Sequence, residues 1–146
     1  MNSVSEKDWL PTFLSEFHKT HLKNLGFKKV RRTFSRDRGL YWERFNFQGS
    51  DSNGINGWRF YLNVGVEFKD MPSENYWSGF PHTHWTTRSE SIVPNSPKEW
   101  RYDISTDKVA LAKDLIEVIT TASQVMANNK EKIREEHLRK IKKRYS

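Results

Sequence analysis

The side chains best equipped for chemistry are two histidines and a set of arginines interleaved with aromatic residues. The histidines are His82 and His84. A strand would send both imidazoles to one face, where such a pair can hold zinc once a third ligand arrives. None lies close in sequence; Glu67 or His18 would have to come through the fold. Histidines beside Pro81 and Trp85 at a strand start are more often ordinary polar residues. The pair is a weak metal candidate, and no cofactor is expected. The second set comprises Arg31, Trp42, Arg44, Arg59, Tyr61 and Asn63, followed by Tyr76 and Trp77. Arginine beside Trp or Tyr stacks on planar groups and grips carboxylates or phosphates.

Other chemistries find less support. The stretch from Gly49 to Gly57 lacks the Lys-Ser/Thr ending of a phosphate loop and precedes no helix. Asp51-Ser52-Asn53-Gly54 is only a fragment of a calcium loop. The glycine-flanked serine of a nucleophile elbow is absent, and there is no cysteine. A catalytic reading built on His82, His84 and Arg88 is the least supported, so the chain is expected not to be an enzyme.

The elements that must position these residues start from Trp58–Phe68. Every even position is apolar, and the odd ones are Arg59, Tyr61, Asn63, Gly65 and Glu67. Such alternation predicts a strand with one buried and one polar face. A hairpin precedes it, with arms Lys28 to Arg36 and Tyr41 to Gln48 around Asp37-Arg38-Gly39-Leu40. A four-residue loop pairs Phe34 with Glu43, Arg32 with Phe45 and Val30 with Phe47. That gathers Val30, Phe34, Phe45 and Phe47 on one face, whereas a three-residue loop sets Phe45 beside Arg31 and Phe47 beside Lys29. The four-residue register is preferred, although Arg32 fits neither. The other face then carries Lys29, Arg31, Thr33, Trp42, Arg44, Asn46 and Gln48 beside Arg59, Tyr61, Asn63 and Glu67.

Helices are expected at both ends. Ser5 and Asp8 stand at capping-box spacing, Pro11 suits a first turn, and Trp9, Leu10, Phe13, Leu14 and Phe17 recur at helical spacing up to a stop at Gly26. His18 and His21 read as ordinary helix residues. His82 to Glu90 reads as a fourth strand. Lys69 to Pro81 is a long loop holding Met71, Tyr76, Trp77 and Phe80. Asp107 can cap a helix whose wide apolar face runs from Leu111 to Met126, and Asn128-Asn129 weakens it. Beyond, Ile133, His137, Ile141 and Tyr145 form a narrow stripe, and Glu135 with Arg139 and Glu136 with Lys140 are favourable i,i+4 pairs.

At 146 residues, with six Trp, nine Phe and five Tyr, one domain with one core is expected over residues 1–129. Residues 130–146 read as a basic helical extension. No run approaches a membrane span, no signal peptide is apparent, and the absence of cysteine fits the cytoplasm. The net charge of +7 is concentrated: residues 130–146 hold eight Lys/Arg and three Glu. Lys28 to Arg38 holds six basic groups against Asp37 alone. The remaining 129 residues carry only +2, which weakens a nucleic-acid reading.

A helix, then Leu25-Gly26-Phe27, a hairpin with Phe45-Asn46-Phe47-Gln48, Phe60-x-x-Asn63-x-Gly65-Val66, His84-Trp85-x-x-Arg88 and a later Trp follow in order. From about Leu14 to Trp100 this order resembles a bacterial family, domain of unknown function 4304. The basic tail lies outside the resemblance. The family implies a small α+β domain and brings no activity or catalytic residues. The expected fold is therefore α+β: an antiparallel sheet of about four strands with an N-terminal helix and a long C-terminal helix or helix pair packed on it.

The expected function is a non-enzymatic, protein-interacting binding module using the polar, aromatic sheet face and the 69–81 loop. Small bacterial domains of this kind include toxin-neutralising proteins, an analogy of class only. The alternative is nucleic-acid binding, with Trp42 and Tyr61 stacking bases and the basic first strand and C-terminal helix holding phosphates.

Overall fold

The structure, a computed structural model, describes residues 6–50, 57–71 and 83–144. Ser5, the Asn53-Gly54 turn, Tyr76, Trp77, Phe80, His82 and Tyr145 lie outside them. Helix α1 spans Glu6–Phe17, so Pro11 falls beyond its first turn. The chain continues through a π-helical turn, His18–Leu22, and a 3₁₀ turn, Lys23–Leu25. Gly26 ends it at φ 97°, a left-handed conformation that costs glycine little. The apolar spacing of α1 becomes a column of stacked rings, Trp9 on Phe13 and Phe13 on Phe17. Phe17 meets Phe34 and Phe47 edge-on, and Trp9 stacks on Tyr102.

Six strands follow: β1 Lys28–Val30, β2 Thr33–Asp37, β3 Tyr41–Gly49, β4 Trp58–Phe68, β5 Trp85–Arg88 and β6 Trp100–Tyr102. The sheet runs β1-β2-β3-β4-β5, and β6 also pairs with β4; every pairing is antiparallel. Two features raise the count above four. Lys28 to Arg36, read as one arm, is itself folded: Val30 pairs with Thr33 around Arg31-Arg32, and Arg31 takes φ 56°. A non-glycine residue seldom adopts that conformation, so no residue type there signals a turn. This places Val30 in solvent at 68% exposure and explains why Arg32 suits no strand register. The other feature is Trp100–Tyr102, a strand of three residues beside the start of β4.

The β2–β3 register also differs from expectation. Phe34 pairs with Phe45 and Arg36 with Glu43, which leaves the two-residue turn Gly39-Leu40 closed by Arg38 N–H on Tyr41 O (2.8 Å). Gly39, at φ 89°, occupies the position where a II′ turn demands a positive angle. The shift from the expected register is two residues, so the division of faces survives. Phe34, Tyr41, Glu43, Phe45 and Phe47 share the inner face with the even positions of β4.

The helices pack against that inner face. Asp107 caps α2, Lys108–Asn128, by accepting from the N–H groups of Val109 and Ala110. Helix α3, Lys130–Arg144, follows a break at Asn129 and is a separate element. It does not project freely: Ile133 is buried, and Arg134 lies over the Phe68 ring.

Glu43 has no solvent exposure on this inner face. Its Oε1 accepts from Arg36 Nε (2.6 Å) and its Oε2 from Ser123 Oγ of α2 (2.5 Å). Arg36 also reaches Ser123 Oγ (2.8 Å) and Leu25 O (3.3 Å), with its guanidinium over the Phe27 ring. A buried charge is tolerable only when so paired. Glu43→Ala is expected to cost about 3–5 kcal/mol in a chemical denaturation measurement. Ser123→Ala, which orphans one carboxylate oxygen, should cost roughly 1–3 kcal/mol.

Candidate functional site

The odd positions of β4 and the even ones of β3 form the outer face. The contacts described for all three helices run to the inner face or to one end of the sheet. Trp42, Arg44, Tyr61, Asn63 and Glu67 are all half-buried there. Side-chain hydrogen bonds run across its strands. Asn63 Nδ2 donates to Asn46 Oδ1 (3.2 Å) and Gln48 Oε1 (3.0 Å), and Asn46 Nδ2 donates to Thr33 Oγ1 (3.0 Å). Arg44 donates to Ser35 Oγ (2.7 Å) and pairs with Glu67.

Cations lie against both outer aromatics. Lys69 Nζ and the Arg44 guanidinium sit 5.1 and 5.7 Å from the Trp42 ring centre. Lys69 also bonds Asp37 (2.6 Å), and that hydrogen bond holds the Asp37 carboxyl below its ordinary value. The Arg88 guanidinium lies 4.3 Å from the Tyr61 ring centre, and Arg88 itself stands opposite Asn63 in the β4–β5 ladder. The face is closely built: a methyl group at Gly65 would come within 2.8 Å of Thr83 Cγ2 and 3.0 Å of Trp85 O.

The expected site residues divide. Trp42, Arg44, Tyr61 and Asn63 share this surface. Arg59 lies at its end, bonded to Ser50 Oγ (3.1 Å) and Glu99 (3.0 Å) and directly opposite Arg101. Glu99 pairs with both arginines; the hydrogen bond from Arg101, with the charge of Arg59, lowers its pKa. A cavity of about 550 Å³ opens beside them, between the ends of β4 and β6. Arg31 is not on the surface, because it forms the exposed β1–β2 turn. Tyr76, Trp77 and His82 fall outside the described residues.

His84 is placed by its neighbours. Its Nδ1 accepts the Phe68 N–H (2.9 Å), its ring stacks on Phe68, and the His137 ring of α3 meets it edge-on at 4.7 Å. Among the described residues, no group of three or more His, Cys, Asp or Glu is arranged to hold a metal. His18 bonds Phe27 O (2.8 Å), far in role from any ligand set. No spacing in the chain marks the Glu43–Arg36–Ser123 cluster, whose members only the fold brings together. Alternation along His82 to Glu90 did put Arg88 on the face opposite Trp85.

Residues 18–139 match the family model described as Domain of unknown function (DUF4304). The chain belongs to this family. The match begins at residue 18, after Leu14, and runs past Trp100 through α2 and well into α3, so the start of the basic tail is part of the family domain. No curated protein and no solved structure matches the chain.

Two outcomes follow from the geometry. Gly65→Ala should destabilise the fold by about 1–3 kcal/mol through overpacking, read as a lower denaturation midpoint. Asp70 accepts two hydrogen bonds from Arg134 (2.8 and 2.7 Å), which lowers the Asp70 pKa and raises that of Arg134. A lowered carboxylate pKa adds stability above the unfolded value, and that stability disappears as pH falls through the folded value. The Asp70–Arg134 contribution to docking of α3 should therefore be constant near neutrality and be lost below about pH 4. Asp70→Asn should speed hydrogen exchange of α3 amides at neutral pH, relative to those of β3.

Proposed function

We propose that the protein is a non-enzymatic binding module whose contact surface for a protein partner is the outer sheet face, together with the 69–81 segment that leaves its end. The observation that carries this reading is the asymmetry of the sheet. The described helix contacts serve one face, and the other holds Trp42 and Tyr61 with their cations in a hydrogen-bonded lattice. Such a lattice keeps aromatic and guanidinium groups in fixed positions, and ordering cost on binding is correspondingly small. Aromatic residues and arginine also dominate the energetics of protein interfaces.

The nucleic-acid alternative weighs less on charge. Arg44 is paired with Glu67, Lys69 with Asp37, and Arg59 with Glu99. Phosphate binding would have to compete with these carboxylates. No helix among the described residues is long and apolar enough to cross a membrane. We place the protein in the bacterial cytoplasm, a reading that the absence of cysteine supports.

The test compares capture from a native bacterial host by the wild-type chain, by a Trp42→Ser/Tyr61→Ser variant and by Val109→Ser, a control at an exposed position of α2. A discrete protein retained by wild type and control, and lost with the double variant, is the expected result. Equal retention by all three would remove the outer face from consideration. Retention of a mixed oligonucleotide that falls steeply between low and moderate salt would favour the alternative.

A further inference from the structure

Among the described residues, several polar groups of the outer face are committed to one another. Both Asn63 amide hydrogens are committed to Asn46 and Gln48, Arg44 to Ser35 and Glu67, and Thr86 to Thr83. Arg88 is different. Its Nη1 is buried and has no hydrogen-bond partner, and no carboxylate among the described residues forms an ion pair with it. Its contact is with the Tyr61 ring, 4.3 Å away. The ring face favours a cation but accepts none of the in-plane N–H groups of the fork. A buried donor without an acceptor is uncommon and calls for a cause.

We propose that Arg88, steadied on Tyr61, is the anchor for a carboxylate that the protein partner presents to the outer face. This rests on the reading of that face as a partner surface and names the group that it receives. Guanidinium and carboxylate match as planar forks, and the Tyr61 ring, 4.3 Å from the guanidinium carbon, restricts its movement in advance. Arg88 as a whole is half-buried, so the residue is reached from solvent while Nη1 itself is covered. Charge selects the kind of anion. Arg88 brings a single positive charge; the other cations of the face, Arg44 and Lys69, are already paired. A monoanionic carboxylate balances Arg88; a phosphate dianion would leave excess negative charge in a half-buried setting.

The test is a titration of the isotope-labelled full chain with sodium acetate near neutral pH, followed by NMR at the Arg88 side-chain N–H and Tyr61 ring signals. Sodium chloride and inorganic phosphate are run at matched ionic strength. Acetate is expected to give a saturable shift that chloride does not reproduce, and Arg88→Gln should abolish it. Tyr61→Leu, which removes the platform and keeps the charge, should weaken it. Identical responses to acetate and chloride in the wild-type chain would overturn the proposal without reliance on any variant. Phosphate saturating at lower concentration than acetate would overturn the carboxylate assignment. If acetate fails while the Trp42→Ser/Tyr61→Ser variant still loses its captured protein, the surface reading stands and the anchor alone falls.

Discussion

A carboxylate without contact to water, Glu43, constrains the arrangement around it. It needs Arg36, its direct neighbour across the β2–β3 ladder, and Ser123, eighty positions later on α2. Arg36 in turn holds the Leu25 carbonyl where the N-terminal helical segment ends. One buried charge therefore joins both helical ends of the chain to the centre of the sheet. Hydrophobic burial alone would hold α2 against the sheet in several sliding positions, because it has no direction. The hydrogen bonds to Glu43 do have direction, and they select one. Such a cluster contributes less to net stability than to choosing between packings.

With α1 and α2 committed to the inner face, the opposite face is left to stabilise itself. It does so laterally, through amide ladders and ion pairs between neighbouring strands. Cross-strand pairs of this kind are individually weak, yet they fix side-chain positions well. The inner face is aromatic and dry, with Phe17, Phe34, Phe45, Phe47 and Phe60 almost fully buried. The outer face is polar and stiff. That combination explains how a chain of low overall hydrophobicity supports a firm sheet: its apolar area is concentrated in large rings on one side.

Much of this was legible in the sequence, for reasons that differ by residue. The run Trp58–Phe68 alternates over its whole length, and its faces are assigned correctly by periodicity alone. The parity of β3 was legible too, since Phe45 and Phe47 demand burial. Register was not, because Gly39-Leu40 and the longer loop differ by two residues, a slip that preserves the faces. The turn at Arg31-Arg32 was hidden because arginine in a left-handed conformation has no compositional marker. Its consequence, an exposed Val30, followed from the same blind spot. Trp100–Tyr102 is too short for periodicity to show. Ser123 looked like any small residue in a helix, because its partner lies on β3 and only the fold brings the two together. Alternation set Arg88 opposite Trp85 without saying which face it joins; its place beside Tyr61, with no carboxylate among the described residues in an ion pair with it, is visible only in three dimensions.

The strand at one margin of the sheet, β1, limits how copies of the chain can meet. Its three residues, Lys28, Lys29 and Val30, end at the left-handed Arg31. An unpaired strand margin is a template on which another chain can add a strand, and long flat ones drive aggregation. Here the template is too short to recruit a partner strand of ordinary length, and its two lysines repel a second copy approaching in the same register. The protein can thus keep the outer face with Trp42 and Tyr61 available while this margin of the sheet remains inert toward polymerisation.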